Sequence, residues 1–372
     1  PEGPMSTVPP VHPFDAWALP RGIGLPEGSG GVHDLEGVRV GSLATDATWI
    51  RRLTAVLRGA KDALGSRSAL EIAEALGAVG ERFLDPEDPI RAKALELLPA
   101  TSGLSPEMAA AVLDGMAADW TGAKLSRLLQ VDLGGASVVD GFVASPHGRV
   151  QAVGPNLCVQ VVSGSVPGVG VTALVRSLLV KGPTLLKPGL GDMVLPVLFG
   201  QALREVDSAL ADALAVVYWP GGSGAVEDAA LQEADVTTVY GGDGVVRELR
   251  ARAPVTARFV SYHHRLSLGV VGREALGPDL FHRTASEVAG AVAFFDQRGC
   301  VSPHVVYVDE GGAADDLAFT EELAEALATV ETNLPGGSLY PLEASELHQV
   351  RGAAELMAAT GTGSEVRQGG DA

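Results

Sequence analysis

From about Gly154 onward, short apolar runs alternate with patterns of helical period. Leu157-Cys-Val-Gln-Val-Val162 is a nearly continuous apolar run, as expected of a strand buried on both faces. A glycine-rich turn, Ser163 to Gly170, separates it from a helical pattern over Val171 to Val180. The unit then recurs. Thr184-Leu-Leu-Lys187 reads as a strand ending at Pro188-Gly189, with a helix over Leu195 to Leu203. Ala215-Val-Val-Tyr-Trp219 is a strand closed by Pro220-Gly-Gly222, and Thr237-Thr-Val-Tyr240 is one closed by Gly241-Gly-Asp-Gly244, with a helix after it. Arg258 to Ser261 and Ser267 to Val271 predict further strands. Strand, turn and helix in repeated order predict a parallel sheet with helices on both faces. Each strand ends at Gly or Pro, so the turns gather at the carboxyl edge, where open α/β sheets bind ligands. A strict G-x-G-x-x-G is absent, and Gly164-Ser-Val-Pro-Gly168 is either a phosphate loop or a tight βα connection.

The amino-terminal third has a different texture. Residues 1–35 are rich in Pro and Gly and predict an irregular, flexible arm. Helical spacing follows over Thr48 to Leu57, Ala69 to Leu76 and Arg91 to Leu98. Ser105-Pro-Glu-Met108 reads as an N-cap, a proline at the first helical position and an acid in the first turn. Near the other end, an apolar segment and Gly299 lead to Cys300. Val305 to Val308 reads as a strand, Glu321 to Ala328 as a helix, and Gly361 to Ala372 as a mobile loop. The predicted organisation is an arm over 1–35, a helical region plus dinucleotide-binding domain over 36–270, and a catalytic domain over 271–372 that is incomplete at its carboxyl end.

Composition narrows the function. The 372 residues are 46% apolar, enough for a large core, and the formal net charge is -19. No basic patch interrupts this acidity, which argues against nucleic-acid and anionic-membrane partners. No apolar run is long enough to span a bilayer. The two cysteines, Cys158 and Cys300, are far apart and lack metal-ligand spacing, so no metal site is expected and a reducing, cytoplasmic compartment fits. Cys158 lies inside the first apolar strand and reads as core. Cys300, on a Gly-bearing turn before a strand, is either a nucleophile or an ordinary buried cysteine. His263 and His264 are either a proton source near neutral pH, with His264 the better candidate, or a structural pair at a strand end. His304 is close to Cys300 in sequence. Tyr218 and Trp219 either flank an adenine or pack in the core, and Asp296 has no catalytic assignment.

Taken in order, six motifs resemble one family. They are Ser165-Val-Pro-Gly168, Leu186-Lys187, Val217-Tyr-Trp-Pro-Gly-Gly222, Val239-Tyr-Gly-Gly-Asp243, Tyr262-His-His-Arg-Leu-Ser267 and Phe295-Asp-Gln-Arg-Gly-Cys-Val-Ser-Pro-His304. Over roughly residues 90 to 365 the chain resembles the LuxC-type acyl-CoA reductases of the aldehyde dehydrogenase superfamily. The resemblance implies an α/β fold with a Rossmann-type cofactor domain and an α/β catalytic domain carrying the nucleophile. It implies reduction of an acyl thioester, acyl-CoA or an acyl carrier, to an aldehyde through a Cys300 acyl-enzyme. Ser165, Val166 and Pro167 would lie beside the carbonyl and the nicotinamide. Lys187 would hold the adenosine ribose or a 2′-phosphate, and Gly221, Gly241 and Gly242 would let the backbone approach the dinucleotide. An acyl-transferring or acyl-activating partner protein and a homo-oligomer of the full-length chain are further implications.

The chain departs from the family pattern at several points. Ser165 stands where the family usually has Asn, and the chain ends earlier than its members usually do. Ser261-Tyr-His-His-Arg265 replaces the motif whose Glu activates water in hydrolytic relatives, which favours transfer to or from a thiol. Lys187-Pro-Gly-Leu190 lacks the acid that binds ribose hydroxyls in many relatives, which tilts the expected cofactor to NADPH, with NADH the alternative. Two other readings stay open: a non-catalytic acyl- or dinucleotide-binding subunit, and an acylating dehydrogenase working in the oxidative direction.

Overall fold

The computed structural model describes residues 13–146, 148–361 and Val366. A six-stranded sheet organises it. In chain order its strands are β1 (Trp17–Ala18), β2 (Cys158–Val161), β3 (Thr184–Lys187), β4 (Leu214–Val217), β5 (Val236–Tyr240) and β6 (Arg258–Tyr262). Their spatial order is β6-β5-β2-β3-β4-β1. All neighbours from β6 to β4 are parallel, and β1 closes the far edge antiparallel to β4. The strand order reverses at β2, whose neighbours are β3 and β5. In open α/β sheets that switch point opens a crevice beyond the carboxyl ends.

The helices that matter here are α1 (Ala47–Gly59), α2 (Ala69–Leu84), α3 (Pro89–Ser102), α4 (Pro106–Ala118), α5 (Gly122–Leu133), α6 (Val169–Leu179), α7 (Val194–Val206), α8 (Gly224–Gln232) and α9 (Asp243–Arg252). Local chemistry sets their starts. Asp46 accepts the Trp49 N–H at 2.7 Å, Ser105 accepts that of Met108 at 3.1 Å, and Ser68 and Glu71 form a reciprocal capping box. On one side of the sheet α2 to α7 build the main core, with Trp120 edge-on to Phe83 and Phe199. On the other side α1 and α8 bury Trp49, Leu53 and Ala229 against Leu185, Val217 and Trp219. Cys158 is buried, and the apolar surroundings push its thiol pKa up, as suits a core residue.

A second, smaller unit follows. β7 (Ser267–Val271) and β8 (Pro303–Val308) pair in parallel, joined across α10 (Phe281–Ala293). α11 (Asp316–Asn333) packs on α10 and buries Phe319 with Val271, Leu276 and Ala285. α12 (Pro341–Ala359) completes the described chain. No helix among the described residues is long and apolar enough to cross a membrane.

One expectation needs correction. The described part of the arm is built into the fold. Phe14–Asp15, Val32–Leu35 and Val38–Gly41 form a three-stranded sheet, and Trp17–Ala18 extends the main one. These strands are two to four residues long, too short to leave a periodic signature. Arg21 then pins the segment, its backbone N–H and guanidinium both meeting the Asp212 carboxylate, at 2.9 Å and 2.6 Å. Residues 1–12 of the predicted arm and most of the predicted terminal loop lie outside the described residues.

Candidate active site

Cys300 is the exposed cysteine of the pair. Its turn is shaped by its neighbours. Phe295, Asp296 and Gln297 all have positive φ, of 65°, 49° and 60°, so the chain doubles back just before the thiol. Non-glycine residues rarely adopt this region, and three in succession need outside support. Ser302, buried, donates its hydroxyl to the Phe294 carbonyl at 2.9 Å, and Ser267 at the start of β7 donates to the Cys300 carbonyl at 2.6 Å. Arg298 donates to the Ser102 and Ser338 carbonyls and to both oxygens of Glu343. Asp296, its pKa raised by burial, accepts the Gly337 N–H at 3.1 Å, so it acts as a brace. A β-carbon at Gly299 would stand 2.7 Å from the Phe295 ring, which explains glycine before the thiol.

Ser165 lies on the loop from β2 to α6, exposed, with Pro167 and Gly168 buried behind it. The following βα loop braces it. The Asp192 carboxylate accepts the N–H groups of Gly168 and Gly170 at 2.9 Å and 2.8 Å, and Gly189 and Gly191 lie against Gly164. Helix α4 connects the two loops, because Met116 contacts Gly168 while the adjacent Gly115 lies beside the Phe294 ring. Burial pushes the Tyr240 phenol, at the end of β5, up to about 12, with smaller contributions from Tyr262 and Cys300. The two tyrosine rings are stacked at 4.4 Å. The segment before the Cys300 turn and the Ser165 loop thus share α4 as a common support.

A cavity of about 280 Å³ opens at the same edge, around the switch point. Lys187, Gly221, Gly241 and Gly242 line it, as do Tyr240 and Trp219. Val166 and Pro167, also expected at the dinucleotide, do not line it, while Ser163, Gly189 and Gly222, which carry no such expectation, do. The Lys187 ammonium sits 5.4 Å above the Tyr218 ring, and burial lowers its pKa while Glu227 partly restores it. The Trp219 indole Nε1 is buried without a hydrogen-bond partner. A cation at the wall of a glycine-lined cavity suits a negatively charged dinucleotide.

His263 and His264 are exposed at the crossing from β6 to β7. His263 Nδ1–H donates to the His264 carbonyl at 3.0 Å and stands 3.7 Å from Asp243. His304 is exposed on β8. Among the described residues no group of three His, Cys, Asp or Glu side chains is placed to hold a metal ion.

Sequence reasoning missed three features of this edge. Asp192 reads as an unremarked residue in a turn, and only the fold reveals that it is buried. Glu227 faces the cavity from α8, tied to Arg252 at 2.7 Å, a pairing across 25 positions that no local pattern signals. Trp219 was visible as an aromatic at a strand end, but not as an unsatisfied donor.

Comparison with known proteins agrees with this architecture. An indole-3-acetaldehyde dehydrogenase solved with NAD+ superposes with a TM-score of 0.68 at 17% identity, over 95% of this chain and 71% of that one. A benzaldehyde dehydrogenase from Corynebacterium glutamicum gives 0.68 at 16% identity, over 90% and 71%. The fold is that of the aldehyde dehydrogenases. In sequence, a long-chain acyl-protein thioester reductase of Photobacterium phosphoreum is 25% identical over 245 residues, 63% of this chain and 48% of that protein. Another from Aliivibrio fischeri is 26% identical over 278 residues, 72% of this chain and 55% of that protein. The chain thus spans about half the length of the curated relatives it matches. The family model described as acyl-CoA reductase (LuxC) matches residues 68–369, most of the chain. With its cysteine turn carried on an aldehyde dehydrogenase fold, the chain belongs to the acyl-CoA reductase (LuxC) family.

Proposed function

We propose that the protein reduces an acyl thioester to an aldehyde through an acyl-enzyme on Cys300, using a nicotinamide dinucleotide, with NADPH the expected form. The observation that carries this reading is the exposed Cys300 thiol on a braced turn, preceded by Phe294 lying beside the same helix, α4, that meets the Ser165 loop. The relatives named for long-chain acyl-protein thioesters support a fatty acyl group carried on a protein, or on CoA.

The Cys300 thiolate attacks the thioester carbonyl and forms the new C–S bond. The departing thiolate of CoA or the carrier takes the electron pair of the old one. The Cys300 backbone N–H and the Ser165 hydroxyl act as donors to the oxyanion. When bound, the dinucleotide supplies the hydride that brings the acyl group to the aldehyde level. Lys187, Gly221, Gly241 and Gly242 would hold it, with Val166 and Pro167 on the nicotinamide side. His264 donates the proton to the forming alkoxide and takes it back as the hemithioacetal collapses. Cys300 then leaves as the thiolate when the C–S bond breaks and the aldehyde departs. At the position where a hydrolytic enzyme needs a carboxylate to activate water, Ser261 supports transfer to and from thiols. A reducing, cytoplasmic compartment keeps such a thiol available.

Incubation with a long-chain acyl-CoA and no reductant should leave one acyl mass adduct on Cys300, and Cys300→Ala should leave none. NADPH should then discharge the adduct as aldehyde. An unmodified Cys300, or an adduct discharged only as free acid, overturns the reading.

A further inference from the structure

On the α6 side of the main sheet, opposite the dinucleotide cavity, three adjoining cavities of about 290, 320 and 310 Å³ form a groove, and Arg176 lines all three. Strand alternation keeps the two sites apart. Val159 and Val161 of β2 line the dinucleotide cavity, while Cys158 and Gln160 line the groove. Their register partners continue the same face, through Val236 and Thr238 of β5 to Arg258 and Val260 of β6. Tyr240, at the carboxyl end of β5, lines both sites.

The groove has apolar walls and a cationic rim. Leu125, Leu128 and Val131 of α5 face Val175 and Leu179 of α6 across it. Lys124, Arg127, Arg176 and Arg258 stand exposed on it. Among the described residues the three guanidinium groups make no hydrogen bond or ion pair, and Lys124 has the exposed Asp119 at 3.7 Å. Elsewhere Arg82, Arg204 and Arg252 each hold a carboxylate at 2.7 Å. The chain has 46 Asp and Glu for 27 Lys and Arg, so acids are not scarce, yet only Asp119 and Asp132 line the groove. Its free cations therefore suit an anion brought from outside.

We propose that the groove binds the CoA of an acyl-CoA substrate, with Arg127 and Arg176 on the headgroup phosphates and the pantetheine arm lying along α6. The inference rests on the thioester reading of Cys300 and adds the carrier and its site. Helix α6 begins just after the Ser165 loop, and Arg176 stands two turns, about 10 Å, along it, within the span of an extended pantetheine arm. Beyond β6, Ser267 holds the Cys300 carbonyl. Besides burial, which dominates, Cys300 raises the Tyr240 pKa and Arg176 lowers it, so both lie within electrostatic reach of that phenol. A guanidinium offers phosphate a planar fork of N–H donors, and the apolar walls suit the methylene and dimethyl groups of the arm. An acidic carrier protein would meet a surface of net charge -19. A headgroup inside the groove meets chiefly the cations within a Debye length, about 8 Å at physiological salt.

Calorimetry tests the site without turnover. Wild-type protein should bind CoA at least about tenfold more tightly than pantetheine, which has no phosphate, and saturating NADPH should not displace it. Raising the salt should weaken CoA and leave pantetheine unchanged, which needs no variant. Arg127→Ala combined with Arg176→Ala should weaken CoA about tenfold or more. In that variant, acylation of Cys300 by palmitoyl-CoA should fall about tenfold relative to acylation by palmitoyl-pantetheine, a ratio that a folding defect does not move. An unchanged ratio, equal binding of CoA and pantetheine, or displacement of CoA by NADPH overturns the proposal and leaves the thioester reading standing. A variant impaired with palmitoyl-acyl carrier protein but not with palmitoyl-CoA overturns it in favour of a carrier-protein site. If no thioester acylates Cys300 in the wild-type protein, the thioester reading itself fails, and this inference with it.

Discussion

The carboxylate of Asp192 accepts the backbone N–H of Gly170 at 2.8 Å, and its other oxygen takes the Gly168 N–H at 2.9 Å. A fully buried acid thereby fixes the first turn of α6 and the loop carrying Ser165. Burial drives its pKa to about 7, and the two N–H bonds oppose the rise without cancelling it. The unfolded chain has released this proton by about pH 4, while the folded chain still holds it. The associated stability is fully present below the ordinary value of 3.8 and is lost as pH rises through about 7. The linkage amounts to about 4 kcal/mol at most. Asp192→Asn has no titration at this position and turns an amide N–H toward one of the backbone donors, so it should be less stable at low pH. Its melting temperature should fall less than that of the wild type between about pH 4 and about pH 7. Parallel melting curves across that range would mean that Asp192 does not hold the extra proton.

Gly170 should not tolerate a side chain. A β-carbon there would stand 2.7 Å from Pro196 Cγ and 2.9 Å from Asp192 Oδ2. Both neighbours are buried and confined, so Gly170→Ala should destabilise by about 1–3 kcal/mol. Gly244 in α9 has nothing within 4 Å, and Gly244→Ala should be neutral or stabilising by up to about 1 kcal/mol. Chemical denaturation of the two variants measures the contrast. Equal effects would mean that contact at Gly170 is not the cause.

The legibility of this fold follows from where its information lies. The strands at Thr184–Lys187 and Ser267–Val271 carry their own apolar runs, and their bounds agree with expectation at every residue. Ser105-Pro-Glu predicted a helix start, and Ser105 caps it. Glycine and proline at the strand ends marked the edge of the sheet at which the cavity opens. Interactions across long stretches of chain left no such trace. The positive φ of Phe295, Asp296 and Gln297 is imposed on residues that do not favour it, by Arg298, Ser302 and the Asp296 brace. The pairing of Trp17 with Val217 joins positions 200 apart, and a two-residue strand has no period to read. The burial of Asp192 depends on three loops meeting, so its sequence neighbourhood looked like an ordinary turn.

Lys187 should matter to the dinucleotide and not to the thiol. It lines the cavity, while Cys300 lies on the turn held by Ser267 and Arg298. Lys187→Ala should raise the NADPH dissociation constant about tenfold or more, the scale of a charge-assisted contact. Single-turnover acylation of Cys300, followed by mass spectrometry without reductant, should continue at the wild-type rate. Equal loss of both would make Lys187 a structural residue.

Ser165 gives the sharpest test of the proposed chemistry. The family usually has Asn at this position, whose amide has two N–H donors and a longer reach than one rotatable hydroxyl. Ser165 is exposed, so a larger side chain has room, while Pro167 and Gly168 are fixed behind it. The oxyanion forms only after Cys300 attacks, so a better donor assists the transition state more than the bound substrate. Ser165→Asn should therefore raise kcat and leave KM within a few-fold. The gain should be smaller than the roughly 2.7–4 kcal/mol associated with removing an oxyanion donor outright, because the hydroxyl already supplies part of the interaction. Ser165→Ala supplies the opposite arm, and its kcat should fall with little change in KM. If both variants melt like the wild type and neither changes kcat, residue 165 does not face the oxyanion, and the donor must be sought elsewhere around the Cys300 turn.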